Sequence, residues 1–218
     1  MSRTTLDFLQ HVTADETIPE PASGNTLQWR HIDNGLSSYF DGTVVYVSNG
    51  DFYRPESAPT TIIDLIRSSL GRAPSYLDIA AGPNGKAARD VLQEFSPTRA
   101  LFTTLHDLRD INQEAPAGLD FLSGDLCSIV AWQGIEKWQV QHAPDGIGVT
   151  TFRPVSFLQD LPLAYYKGAF NWLLDHTAPG GLLVVQTPNK VIDAINTARC
   201  SIKNILTSVR HKSLLVFV

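Results

Sequence analysis

The chain has 218 residues, of which 43% are hydrophobic and 18% charged, with a formal net charge of -5. That length suits one well-filled core, and that mix excludes a disordered tail or a coiled coil. The acidic balance argues against a broad grip on nucleic-acid phosphates.

The two cysteines, Cys127 and Cys200, have no CxxC partner, so neither a zinc knuckle nor a disulfide framework is expected and both read as reduced thiols. The histidines His11, His31, His106, His142, His176 and His211 are scattered without ligand spacing, and no metal is expected. No run of apolar residues has the length of a signal core or a membrane span, which points to a cytoplasmic chain.

In chain order, residues before Arg30 read as a helix and a loop, with Pro19, Pro21, Ser23 and Gly24 marking loose composition. Residues 39–53 read as a strand or hairpin, because Val44, Val45, Tyr46 and Val47 stand between Asp41-Gly42 and Asn49-Gly50. Residues 1–54 are therefore expected as an N-terminal cap segment and 55–218 as the main domain. Tyr39, Tyr46 and Tyr53 are placed to line a pocket under that cap, with core packing as the plain alternative.

After Pro59 the period changes. Ile62, Ile63, Leu65, Ile66 and Leu70 form one helical face, with Thr60 or Ser57 as cap and Gly71 as stop. A short strand over 76–80, a glycine turn and a helix bearing Ala87, Val91, Leu92 and Phe95 follow. Strands are expected over 100–105 and 119–122, each ending near an acid, and a helix over 128–140.

A fourth strand is expected over 147–152, and a helix carries Leu163, Tyr166, Phe170, Leu173 and Leu174. Pro179-Gly180-Gly181 reads as a turn before a fifth strand over 182–186. Val191, Ile195, Ala198, Ile202, Ile205 and Leu206 line one side of a last long helix, leaving room for one terminal strand over 214–218. Strands alternating with helices imply a doubly wound, mainly parallel α/β sheet covered on both faces.

In such a sheet the ligand sits beyond the carboxyl ends of the strands, near the point where strand order reverses. The first turn there is Asp78-Ile79-Ala80-Ala81-Gly82-Pro83-Asn84-Gly85. Gly82 admits a close ligand, and Gly85 opens the next helix with free amides; a plain glycine turn is the alternative.

These residues resemble the first motif of class I S-adenosylmethionine-dependent methyltransferases, an acid followed by a glycine-rich turn. Ala80 and Asn84 stand where that family usually has glycine. The resemblance implies cofactor contacts at Asp78, Ala80, Gly82, Pro83 and Gly85. It implies ribose contacts at Asp107 with the neighbouring Leu108, Asp110 being the local competitor, and adenine contacts at Asp125 and Leu126.

The resemblance spans about residues 60–186 and includes the PGGLLVVQ stretch around the fifth strand. It implies S-adenosyl-L-methionine as cofactor and, commonly, an antiparallel pair of strands beyond the fifth. With room for one, a minimal or shortened sheet is expected here. A dinucleotide fingerprint would need three glycines in register, and only Gly82 and Gly85 are so placed.

No particular base is forced, because methyl transfer chiefly requires positioning of the acceptor. His31 and His106 are candidate bases and Arg153 a candidate anion clamp, with exposed or structural roles as the alternative for each. The fourth strand lacks the signature of enzymes that methylate amino groups in nucleic acids, and no basic amphipathic helix suggests a membrane. The expected activity is methyl transfer to oxygen or nitrogen of a small-molecule or peptide acceptor. A non-catalytic, methyltransferase-like binding or scaffold subunit is the alternative.

Overall fold

The computed structural model describes residues 6–11, 44–49, 52–53, 60–81, 85–104, 115–152, 161–186, 204–208 and 213–217. A 3-10 turn, η1 (Leu6–His11), comes first, followed by β1 (Val44–Asn49), β2 (Phe52–Tyr53) and β3 (Thr60–Thr61). The alternation then runs α1 (Ile62–Arg72), β4 (Ser75–Ile79), α2 (Lys86–Phe95), β5 (Arg99–Thr104) and β6 (Leu119–Ser123). It continues through α3 (Ile129–His142), β7 (Ile147–Phe152), α4 (Leu163–Asp175), β8 (Thr177–Gln186), β9 (Asn204–Ser208) and β10 (Ser213–Phe217).

The ten strands form one sheet in the order β2-β1-β9-β10-β8-β7-β4-β5-β6, with β3 paired to β1. Five neighbours, β8-β7-β4-β5-β6, are parallel. β10 runs antiparallel between β8 and β9, and β1 runs antiparallel to β9. The chain thus builds outward from β4 through β5 to β6, then returns to the other side of β4 for β7 and β8. This is the doubly wound α/β sheet expected from the alternation of periods.

Both faces are covered. On β4, Tyr76 belongs to a core with Ile66 and Leu70 of α1 and Ala87, Ala88 and Val91 of α2. Leu77 and Ile79 point the other way, into a core with Trp132 of α3 and Tyr165, Phe170 and Trp172 of α4. That alternation follows from the two-residue period of a strand. Trp132 and Trp172 are fully buried and Trp138 nearly so, and each such side chain contributes about 1.5–3 kcal/mol by leaving water.

Several local expectations need correction. The last helix was expected to reach Leu206; its stretch before residue 204 lies outside the described residues, but Asn204–Ser208 is strand β9, so among the described residues seven strands lie between 75 and 217, one more than the spacing allowed. Ile205 and Leu206 fit a helical period, yet both pair across to β10 and β1, and pairing between distant segments overrides a short apolar pattern. The antiparallel pair beyond the fifth strand is therefore present.

Pro179-Gly180-Gly181 is not a turn ahead of the fifth strand but part of β8. The register jumps there, from Ile147 opposite Thr177 to Val149 opposite Leu182, so the extra residues bulge out of the ladder, with Gly180 at φ 78°. Thr60 pairs with Val45 in β3, and Gly71 lies inside α1, which ends at Arg72. The expected N-terminal helix is a 3-10 turn over Leu6–His11.

Candidate functional site

The order of strands reverses between β4 and β7, so the crevice at their carboxyl ends is where a ligand is expected. Asp78, the last but one residue of β4, lies there fully buried. Thr151 on β7 is its partner across the parallel ladder, and the Thr151 hydroxyl donates to Asp78 Oδ1 at 2.7 Å. Tyr76 lies 2.7 Å from the same Thr151 oxygen. Because the one Thr151 proton is committed to Asp78, the Tyr76 hydroxyl is the donor, giving a relay from Tyr76 through Thr151 to Asp78.

The turn that follows is tied to β5. Ala80 N–H donates to Thr103 Oγ1 at 3.1 Å, and Ala81 N–H to the Thr103 carbonyl at 2.9 Å. Ala80 holds φ 59°, a left-handed conformation that costs an alanine about 1–2 kcal/mol. A glycine would hold that conformation without strain.

Gly85, at φ 55°, stands at the N-cap of α2, and among the described residues no side chain caps that helix. A Cβ on Gly85 would fall 2.5 Å from the Phe102 ring, so packing as well as φ requires glycine. The first turn of α2 carries amide donors and the positive end of the helix dipole, which suit an anionic or polar ligand.

Past the end of β6, Gly124 N–H donates to the Thr104 carbonyl at 2.9 Å and carries the β5-β6 pairing one step beyond the strands. Asp125 Oδ1 accepts from Cys127 N–H at 2.8 Å, and the Asp125 carbonyl accepts from Ser128 N–H at 2.8 Å. Ser128 in turn caps α3 through Val130 N–H. Leu126 buries its side chain, and its carbonyl accepts two donors, Trp132 Nε1 at 2.8 Å and the Tyr165 hydroxyl at 2.9 Å.

Asp78, Ala80, Gly85, Asp125 and Leu126 therefore fall at the carboxyl ends of β4 and β6 or at the helix that follows β4. The two acids stand two strand positions apart, roughly 10 Å across the sheet. Gly82, Pro83, Asp107 and Leu108 lie outside the described residues, as do His31, His106, Arg153 and Tyr39. Tyr46 and Tyr53 fall on β1 and β2.

Thr151, Tyr76 and Thr103 were not anticipated as site residues. The available signal was a pair of threonines, Thr150-Thr151 and Thr103-Thr104, at the end of each of two buried strands. A groove bordered by Arg89, Ser96, Pro97 and Pro116 lies at the opposite end, where β5 and β6 begin, away from the strand ends that bind ligands in such sheets. Among the described residues no group of acids, histidines and cysteines could hold a metal ion, and no helix is long and apolar enough to cross a membrane.

No family model matches the chain, and no curated protein does. Among solved structures, MycE methyltransferase from the mycinamycin biosynthetic pathway, in complex with Mg, SAH and mycinamycin VI, is similar over 70% of this chain and 43% of its own. Its identity is 16% and its TM-score 0.47. The pyocyanin biosynthetic protein PhzM is 14% identical over 71% of this chain and 55% of its own, with a TM-score of 0.44. Coclaurine N-methyltransferase, bound to N-methylheliamine and SAH, is 13% identical over 84% of this chain and 50% of its own, with a TM-score of 0.40.

The chain spans about half the length of these structures. The chain's own strand order and directions identify the fold: a Rossmann-like, doubly wound sheet closed by an antiparallel pair, as the resemblance of the glycine turn implied.

Proposed function

We propose that the chain is an S-adenosyl-L-methionine-dependent methyltransferase, acting on oxygen or nitrogen of a small-molecule or peptide acceptor. The observation that carries this reading is that Asp78 and Gly85 flank the switch point between β4 and β7, with a buried carboxyl on one side and the N-terminus of α2 on the other. The donor set suits the cofactor: amides at the start of α2 face a polar ligand, and Asp125 stands beyond β6 to meet the base. Asp107 with Leu108 remains the proposed ribose contact.

The cofactor supplies an electrophilic methyl group, and the chain's part is to orient it and exclude water. Asp78 is held by Thr151 at the start of the turn, while Thr103 fixes Ala80 and Ala81. His31, His106 and Arg153 are the proposed groups for moving a proton or holding an acidic acceptor. The cap over 1–54 is proposed to cover the crevice.

The test is incubation with methyl-labelled cofactor against metabolite fractions, peptides and RNA side by side. Label in the small-molecule or peptide fraction supports the reading, and label confined to RNA overturns the acceptor class. Tight cofactor binding without transfer to any fraction would favour a scaffold subunit.

A further inference from the structure

The Leu126 carbonyl is the acceptor for two buried donors from different helices, Trp132 Nε1 of α3 at 2.8 Å and the Tyr165 hydroxyl of α4 at 2.9 Å. Both of its lone pairs are thus committed, one residue after Asp125. Phe8 of η1 stands edge-on to both aromatic rings, with centroids 5.1 Å from Trp132 and 5.4 Å from Tyr165. Gly168 of α4 makes room for it, since a Cβ there would collide with Phe8. The N-terminal turn is therefore seated between α3 and α4, behind the segment that presents Asp125.

Burial alone requires that a Trp N–H and a Tyr O–H find acceptors. It does not require that both choose the one carbonyl adjoining the candidate base contact. With Asp125 Oδ1 taken by Cys127 N–H, the second carboxylate oxygen is aimed by whatever fixes the backbone at 125–126, and that is the double clamp.

The geometry points to Tyr165, Trp132 and Phe8 as positioning residues for recognition of the purine amino group, through Leu126 to Asp125. This rests on the cofactor reading above. It assigns the N-terminal turn a part in base selectivity, which the resemblance did not suggest.

The test compares the affinities of S-adenosylhomocysteine and S-inosylhomocysteine, which differ at the group that Asp125 would meet. The wild-type protein is expected to prefer the adenine form about tenfold, the effect of one buried hydrogen bond to a charged group. Tyr165→Phe and Phe8→Leu are expected to shrink that preference about three- to tenfold, chiefly by weakening the adenine form. Trp138→Phe, elsewhere on α3, which loses a bond to Asp120 of β6, is expected to keep it.

Equal loss for both ligands in Tyr165→Phe and Phe8→Leu would mean packing alone and would overturn the inference, as would an undiminished preference in both. A wild-type protein that binds S-adenosylhomocysteine without preferring adenine overturns the inference and leaves the cofactor reading standing. A wild-type protein that binds neither ligand overturns the cofactor reading and the inference with it.

Discussion

The Asp78 carboxyl and the Thr151 hydroxyl meet at 2.7 Å where β4 and β7 part, 73 residues apart in the chain. The bond exists only because β7 returns to the side of β4 that β5 does not occupy. It joins the first half of the sheet to the second beneath the glycine turn.

Removing that hydroxyl leaves a fully buried acceptor one donor short. Thr151→Val is expected to cost about 1–3 kcal/mol of stability and to weaken S-adenosylhomocysteine binding several-fold. Tyr76→Phe, one bond farther away, is expected to cost about 1 kcal/mol. Urea unfolding and calorimetry on the two variants check the order, and a larger loss from Tyr76→Phe would contradict the proposed direction of the relay.

The two left-handed residues at the turn should respond in opposite senses. Ala80→Gly relieves a strained φ of 59° and is expected to raise stability by about 0.5–1 kcal/mol after the added chain entropy of glycine. Gly85→Ala adds strain at φ 55° and drives a methyl into the Phe102 ring, for a loss of roughly 2–4 kcal/mol. Unfolding midpoints of the two variants should lie on either side of the wild type.

Thr150, next to Thr151, is fully buried, and its hydroxyl has no partner among the described residues. Thr150→Val keeps the shape and removes an unsatisfied group, so a gain of about 1 kcal/mol is expected. For a chain of this size that is about 2–4 °C in Tm, readable by calorimetry. A loss of similar size would mean that the hydroxyl is bonded.

Burial, with the nearby Cys127 adding to it, pushes the Tyr165 phenol well above its ordinary value of about 10. A folded pKa raised above the unfolded one gives a contribution fully present below pH 10 and lost as pH rises beyond it. The wild-type protein is therefore expected to lose stability steeply above about pH 10, and Tyr165→Phe less steeply. Urea midpoints taken across that range for both proteins check it.

Much of the sheet was legible because local periods change where elements change. The short apolar run of β4 gives way to the 3.6-residue pattern of α2 after Gly85, and Ser128 opens the stretch that forms α3. β9 was not legible, since Ile205 and Leu206 fit a helical stripe and only their partners in β10 and β1 decide otherwise.

The candidate site divides in the same way. Asp78 and Asp125 stand out because each ends or follows a strand beside glycine. Thr151, Thr103 and Tyr165 did not, because their partners are fixed by register across the sheet and by packing between α3 and α4, which no local pattern encodes.

The central claim is that the crevice above β4 and β7 binds the methyl-transfer cofactor. Titration calorimetry with S-adenosylhomocysteine measures this most directly, on the wild-type protein and on Thr151→Val. One site of micromolar affinity, weakened several-fold by the substitution, is the predicted result. No heat and no thermal shift with wild-type protein at millimolar ligand would contradict it.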